Sequence, residues 1–230
     1  MTSPDYFWSC ILFGKKRNNE PAKPADRPPS FLSRDIIMRI TGGSAKGRHL
    51  TGPKAGWTFI RPTGDRVREA LFNILGEEVV GSAVLDLYAG TGALGLEALS
   101  RGAETAVFVD HSRQALELIH GNVTKCFPAA KASLQLLNLS QESSLRRLKK
   151  KMPAGLLFDI VFLDPPYEKK LAEKTVAMVE KEALLKADGL VVAEERAGEQ
   201  LAVRYGALTL EMHRSYGETD LWFYRNTASS

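Results

Sequence analysis

Residues 84–95 read VLDLYAGTGALG. VLDLY has the near-continuous apolar character of a strand buried on both faces, and LGLEALS beyond it has helical spacing, so the glycines occupy a strand-to-helix turn. Gly90, Gly92 and Gly95 fit the G-x-G-x-x-G spacing of nucleotide loops, where glycine permits the tight turn and brings a ligand against N–H groups at a helix N-terminus. The spacing alone does not separate a dinucleotide from other ligands. A plain turn that needs glycine for its dihedrals looks the same.

Outward from this loop, apolar runs alternate with helical ones. VLDLY (84–88), TAVFVD (105–110), SLQLLN (133–138), IVFLD (160–164) and GLVVAE (189–194) read as strands, separated by helices through LGLEALS, SRQALELIHGNVTKC, SSLRRLKKK and KTVAMVEKEALL. This order specifies an α/β fold with a mostly parallel sheet and helices on both faces. ALTLEMHRSY and TDLWFYR follow with only a Gly-containing turn between them and close the sheet as an antiparallel pair.

Upstream, glycine-punctuated apolar pieces between Ile36 and Ile60 suggest a small β-hairpin. DRVREALFNIL then has helical spacing with Asp65 as its N-cap. Residues 38–80 therefore form a hairpin and helix element, and 81–226 the main domain. Residues 1–37 include the proline-rich GKKRNNEPAKPADRPPS, which cannot bury enough apolar surface to offset its ordering entropy. They are expected to be a mobile extension, with Met38 as an alternative start.

The formal net charge is +4, but between Arg34 and Arg68 eight basic residues face two acids, which suits a polyanionic partner. Cys10 and Cys126 are the two cysteines, and neither they nor His49, His111, His120 and His213 have metal-ligand spacing, so no disulfide framework and no metal are expected. YFWSCILF is too short to span a membrane. A cytoplasmic protein with no membrane partner is expected.

Two acids bear on the loop's ligand. Asp110 ends the strand about twenty residues after the glycines, where it can accept hydrogen bonds from ribose hydroxyls of NAD or S-adenosylmethionine equally. Asp86 does discriminate, because a carboxylate beside the loop binds the ammonium of a methionine moiety but repels a pyrophosphate. A helix cap or a solvated strand end is the plain alternative for each.

IVFLDPPY (160–167) points to the chemistry. Two prolines after an apolar strand make a rigid exit without backbone donors, leaving carbonyl acceptors. The Asp164 carboxylate and the Pro165 carbonyl can each accept one hydrogen of a planar exocyclic amine, turning its lone pair toward a methyl donor, while Tyr167 stacks on the base. A proline-stiffened turn is the alternative without function.

LDLYAGTGALGLEAL, Asp110 and DPPY together resemble class I S-adenosylmethionine-dependent methyltransferases. MRITGGSAKGRHL followed by RPTGDRVREALFNIL narrows the resemblance to the RsmD family, whose members methylate N2 of a guanine in bacterial 16S ribosomal RNA, and it covers Met38 to Arg225. The resemblance implies a Rossmann-like, seven-stranded sheet in the order 3-2-1-4-5-7-6 and S-adenosyl-L-methionine as cofactor. It implies cofactor contacts from Asp86, Ala89, Gly90, Thr91, Gly92 and Asp110, and from Asn138, which ends the third strand, to adenine. The target base falls to Asp164, Pro165, Pro166 and Tyr167. The implied partner is 16S ribosomal RNA in a partly assembled small subunit, held by Arg39, Lys46, Arg48, Arg61, Arg66 and Arg68 through its phosphates. Some of these arginines can instead pair with Asp65 or Glu69 or line the cofactor cleft. RRLKKK (146–151) reads as a second patch or as a solvated helix face. Three alternatives remain at this level: a DNA amino-methyltransferase, a non-catalytic RNA-binding assembly factor, and a nicotinamide enzyme.

Overall fold

The computed structural model describes residues 38–53, 64–166 and 171–228. The expectations for residues 1–37, Arg61 and Tyr167 lie outside the described residues.

The chain opens with a hairpin, β1 (Met38–Arg39) against β2 (His49–Leu50), followed by helix α1 (Asp65–Leu75). Gly64 rather than Asp65 is the N-cap of α1. Asp65 is the first helical residue, and its carboxylate accepts from Arg39 and Arg68 instead of capping. Leu71, Phe72 and Leu75 with Arg68 form the buried face, the i, i+3, i+4, i+7 set that an amphipathic helix turns to a core.

The main sheet follows from β3 (Ala83–Leu87), β4 (Thr105–Asp110), β5 (Lys131–Leu136), β6 (Phe158–Leu163) and β7 (Leu185–Arg196). The short β8 (Arg204–Tyr205), then β9 (Leu208–Tyr216) and β10 (Thr219–Asn226), complete it. Helices α2 (Ala93–Ser100), α3 (Arg113–Cys126), α4 (Ser144–Lys151) and α5 (Leu171–Lys181) connect the parallel strands. The spatial order is β5-β4-β3-β6-β7-β10-β9-β8. Numbered from β3 with the two-residue β8 left out, the order runs 3-2-1-4-5-7-6, and β8 adds an eighth strand at the edge. The strands β5 to β7 are parallel, and β10 inserts antiparallel between β7 and β9.

Two boundaries differ from the sequence reading. The third strand of the sheet stops at Leu136, two residues before Asn138. The helix expected to run to Leu185 stops at Lys181, because Ala183 adopts φ +46 and the chain turns to bury Leu184 and Leu185 as β7 begins.

Alternating side chains give the sheet two apolar faces. Leu85, Leu87, Val161, Leu163, Val191 and Ala193 pack against α4 and α5. Val84, Ile160, Phe162, Val192 and Leu221 pack against α1 and α2, and the same side continues through Ala106 and Phe108 to α3 and the hairpin residues Met38, Ile40 and Leu50. The parallel strands all end at one carboxyl edge, where ligands of such sheets bind.

Candidate active site

At that edge the chain leaves β3 through Tyr88 and Ala89 into Gly90 and Gly92, both at positive φ, with Gly92 as the N-cap of α2. Ala89 N–H donates to Val109 O at 3.0 Å and Gly92 N–H to Ala89 O at 2.6 Å, so the loop is stitched to β4 and closed on itself. Gly95 serves a different need: a Cβ there would overlap the Phe108 ring and come within 3.1 Å of Asp86 Oδ2. The helix can approach the sheet only without a side chain at that position.

The acids bind the loop itself. Asp110 Oδ2 accepts from Gly90 N–H at 2.9 Å and Oδ1 from Ser112 N–H at 2.7 Å, leaving a further lone pair on each oxygen for a ligand. Asp86 Oδ2 accepts from Gly95 N–H at 2.9 Å, with only 2% of the residue exposed. Burial pushes the Asp86 carboxyl well above the usual carboxylate range, the Gly95 bond opposes this, and the charges of Asp164 and Asp110 raise it further. An unfolded aspartate titrates near ~3.9. Between that value and the raised native one the folded state binds the extra proton, so the stability from protonated Asp86 is present in acid and lost as pH rises through the native value. Melting curves of the ligand-free protein should therefore show Asp86→Asn gaining stability relative to the parent as pH is raised from acid to neutral; parallel pH profiles would contradict the assignment.

Asp164 follows β6 and is half-buried, Pro165 is buried and Pro166 exposed. Its charge reaches Asp86, so the proline segment and the glycine loop share one electrostatic site. A further acid, which the sequence reading missed, stands beside it. Leu163 pairs with Ala193, so Glu194 is the next residue on the adjacent strand, and it continues the face of Leu190 and Val192, as Asp164 continues that of Ile160 and Phe162. Its signal was present in the sequence, since GLVVAE and IVFLD both end apolar runs in an acid.

Converging carboxylates fit a cationic ligand and oppose a pyrophosphate, since like charges about 4 Å apart repel by roughly 4 kcal/mol at an effective dielectric of 20. S-adenosylmethionine carries an ammonium and a sulfonium. The cradle of Ala89, Gly90, Thr91 and Gly92 with Asp86 and Asp110 fits it on that ground. Asn138 is exposed beyond β5, and its carboxamide oxygen already accepts from Ser140 N–H at 2.9 Å and Ser140 Oγ at 2.7 Å. Its amide N–H groups are what it can offer an adenine ring nitrogen.

The basic residues divide. Arg39, Lys46, Arg48 and Arg66 are exposed, Arg39 pairing with Asp65 at 3.3 Å. Arg68 is a correction: 1% exposed, it cannot reach a phosphate. Its guanidinium donates to Arg39 O at 2.6 Å and Asp65 Oδ1 at 2.8 Å, and its Nε lies 3.4 Å from Glu97 Oε2. Glu97, fully buried on α2, also accepts from Thr41 N–H, Thr41 Oγ1 and Arg101 Nε at 2.7–2.8 Å. The hairpin and α1 are thus clamped to the helix that starts at the glycine loop. The sequence held the signal: Arg68 lies on the apolar stripe of α1, and Glu97 is the one acid in an apolar helix.

Sheet order, glycine loop and convergent carboxylates define a class I S-adenosylmethionine-dependent methyltransferase. The chain belongs to the RsmD family, since the family model described as "Conserved hypothetical protein 95" matches residues 38–225. YlbH of Bacillus subtilis (strain 168) is 35% identical over 188 residues, 82% of this chain and 98% of that relative. "Ribosomal RNA small subunit methyltransferase D" of Escherichia coli (strain K12) is 32% identical over 191 residues, 83% of this chain and 91% of that relative. The solved structure of yhhF from Escherichia coli superposes with a TM-score of 0.70 at 32% identity, covering 84% of this chain and 99% of that one. Among the described residues no helix is long and apolar enough to cross a membrane.

Proposed function

We propose that this protein is a ribosomal RNA methyltransferase that modifies the exocyclic N2 amine of a guanine in 16S ribosomal RNA, acting in the cytoplasm on a partly assembled small subunit. The observation that carries the reading is that Asp164 and Pro165 leave β6 beside the glycine loop leaving β3, the two strands pairing to their ends at Leu87 and Leu163. The name of the Escherichia coli relative supports the polymer and the subunit.

Bound in the cradle, S-adenosylmethionine supplies an electrophilic methyl group on a sulfonium. Asp86 would pair with the ammonium, whose positive charge opposes the burial that raises the carboxyl; Asp110 would accept from ribose hydroxyls, and Asn138 would face adenine. Asp164 and the Pro165 carbonyl each hold one amine hydrogen, fixing the lone pair in line for transfer, while Tyr167 stacks on the base. Once methylated the nitrogen is acidic, so its proton leaves late to Asp164 or water, and no strong base is required.

The test is methyl transfer from labelled cofactor to naked 16S RNA, to small-subunit particles and to duplex DNA, followed by nucleoside analysis. N2-methylguanosine from RNA is expected; label in adenine or cytosine of DNA, or none at all, sinks the reading.

Arg39, Lys46, Arg48 and Arg66 make the phosphate-binding face. Changing any one of them to alanine should weaken RNA binding at all sequences alike and lower the log–log salt slope by about 1. Filter binding across a salt series checks this. An unchanged slope for all four would remove the hairpin from the interface.

A further inference from the structure

Tyr88 is the residue between β3 and the glycine loop, and its backbone sits at φ +59, a left-handed conformation that bulky side chains rarely take. Such strain persists where the surroundings over-determine it. Here they do so through the ring, which packs on the α5 side of the sheet, and through the phenol. The phenol oxygen is 2.7 Å from Thr175 Oγ1 on α5. Thr175, fully buried, spends its single hydroxyl hydrogen on Leu171 O at 2.8 Å, so the hydrogen between the two hydroxyls is Tyr88's. Burial raises the Tyr88 phenol above its ordinary value and the Thr175 bond opposes it, so the phenol remains a donor at neutral pH.

The two ends of this line matter. Leu171 is the first residue of α5 and comes five positions after Pro166 in the sequence. The backbone pairing of β3 with β6 ends at Leu87↔Leu163, where the cofactor loop and the proline segment leave the sheet. Tyr88, Thr175 and Leu171 continue the connection beyond that point.

We propose that Tyr88 is a positioning residue: its hydroxyl, through Thr175, sets the spacing between the loop that holds the methyl donor and the segment that holds the acceptor amine. Reacting atoms must be held about 3–3.5 Å apart for transfer, so a slackened link acts on turnover rather than on cofactor binding.

Tyr88→Phe removes only the hydroxyl. At saturating cofactor and well below the melting temperature, kcat should fall about fivefold or more, with cofactor affinity by calorimetry within about twofold of the parent. Thr175→Val should match it, the double variant should be no worse than either single one, and Thr175→Ser should behave as the parent. Independently of substrate, hydrogen exchange should quicken in the Tyr88→Phe variant at both Ala89–Gly92 and the first turn of α5. The proposal is overturned by a kcat within twofold of the parent, by an equal loss in cofactor affinity, or by additive single effects. The kinetic arm rests on RNA methylation; should the parent protein transfer no methyl to RNA, that reading fails while the exchange arm still decides the tether.

Discussion

Asp164→Ala is expected to lower kcat by about 10²-fold or more while cofactor affinity changes little, because it removes an acceptor that orients the amine only when the substrate is in place. Asp164→Asn keeps a carbonyl oxygen toward the amine and should retain more activity than the alanine variant. The sign of a second effect follows from electrostatics: Asp164 raises the Asp86 carboxyl, so removing its charge relaxes Asp86 toward its ordinary value. Single-turnover transfer and calorimetry separate the two. Alanine turnover within tenfold of the parent would place the acceptor elsewhere, with Glu194 on the adjoining strand the next residue to change.

Glu97→Ala carries the largest expected cost in stability. It strips the buried one of two carboxylates from Arg68, which is 1% exposed and keeps Asp65, and leaves Thr41 N–H and Arg101 without that acceptor. Breaking a buried pair from one side costs about 3–5 kcal/mol, because the remaining charge cannot return to water. For a domain of this size that corresponds to a fall in melting temperature of roughly 10 °C. Glu97→Gln keeps the acceptor for Thr41 and should lie between. A paired replacement, Arg68→Met with Glu97→Leu, removes both charges and should cost less than Glu97→Ala alone. Denaturant titration decides it, and a loss below about 1 kcal/mol for Glu97→Ala would mean that the clamp contributes little. Weaker RNA binding by this variant would accompany loosening of the hairpin, since Thr41 and α1 are held to α2 through this network, alongside the Ser100 bonds to Ala45 N–H and Gly42 O and the apolar contacts around them.

Much of the site was legible along the chain because its signals are local. A strand, a glycine turn and a helix stand next to one another in residues 84–100, and an apolar strand runs straight into two prolines at 160–166. Each is a property of neighbours in sequence, so periodicity and φ restrictions suffice to read them. The roles of the acids were less legible. The strand-end place of Asp110 points to a ribose, and what the sequence does not reveal is that its oxygens also hold backbone N–H groups, one of them at Gly90 on another connection of the sheet. The apolar run SLQLLN ends at Asn138, whereas the strand stops at Leu136.

Arg68 shows the limit most plainly. Its charge and its place in a basic stretch suggested phosphate binding, whereas its position on the buried stripe of α1 decided otherwise once α1 met Glu97 of α2. The sequence by itself determined the α/β alternation, the nucleotide loop and the acceptor-rich proline exit, because these follow from spacing within one segment. Only the tertiary structure decided which charges are buried and paired, and that Tyr88 reaches Thr175. Those contacts join residues 29 and 87 positions apart, and they exist only where packing brings particular helix faces together.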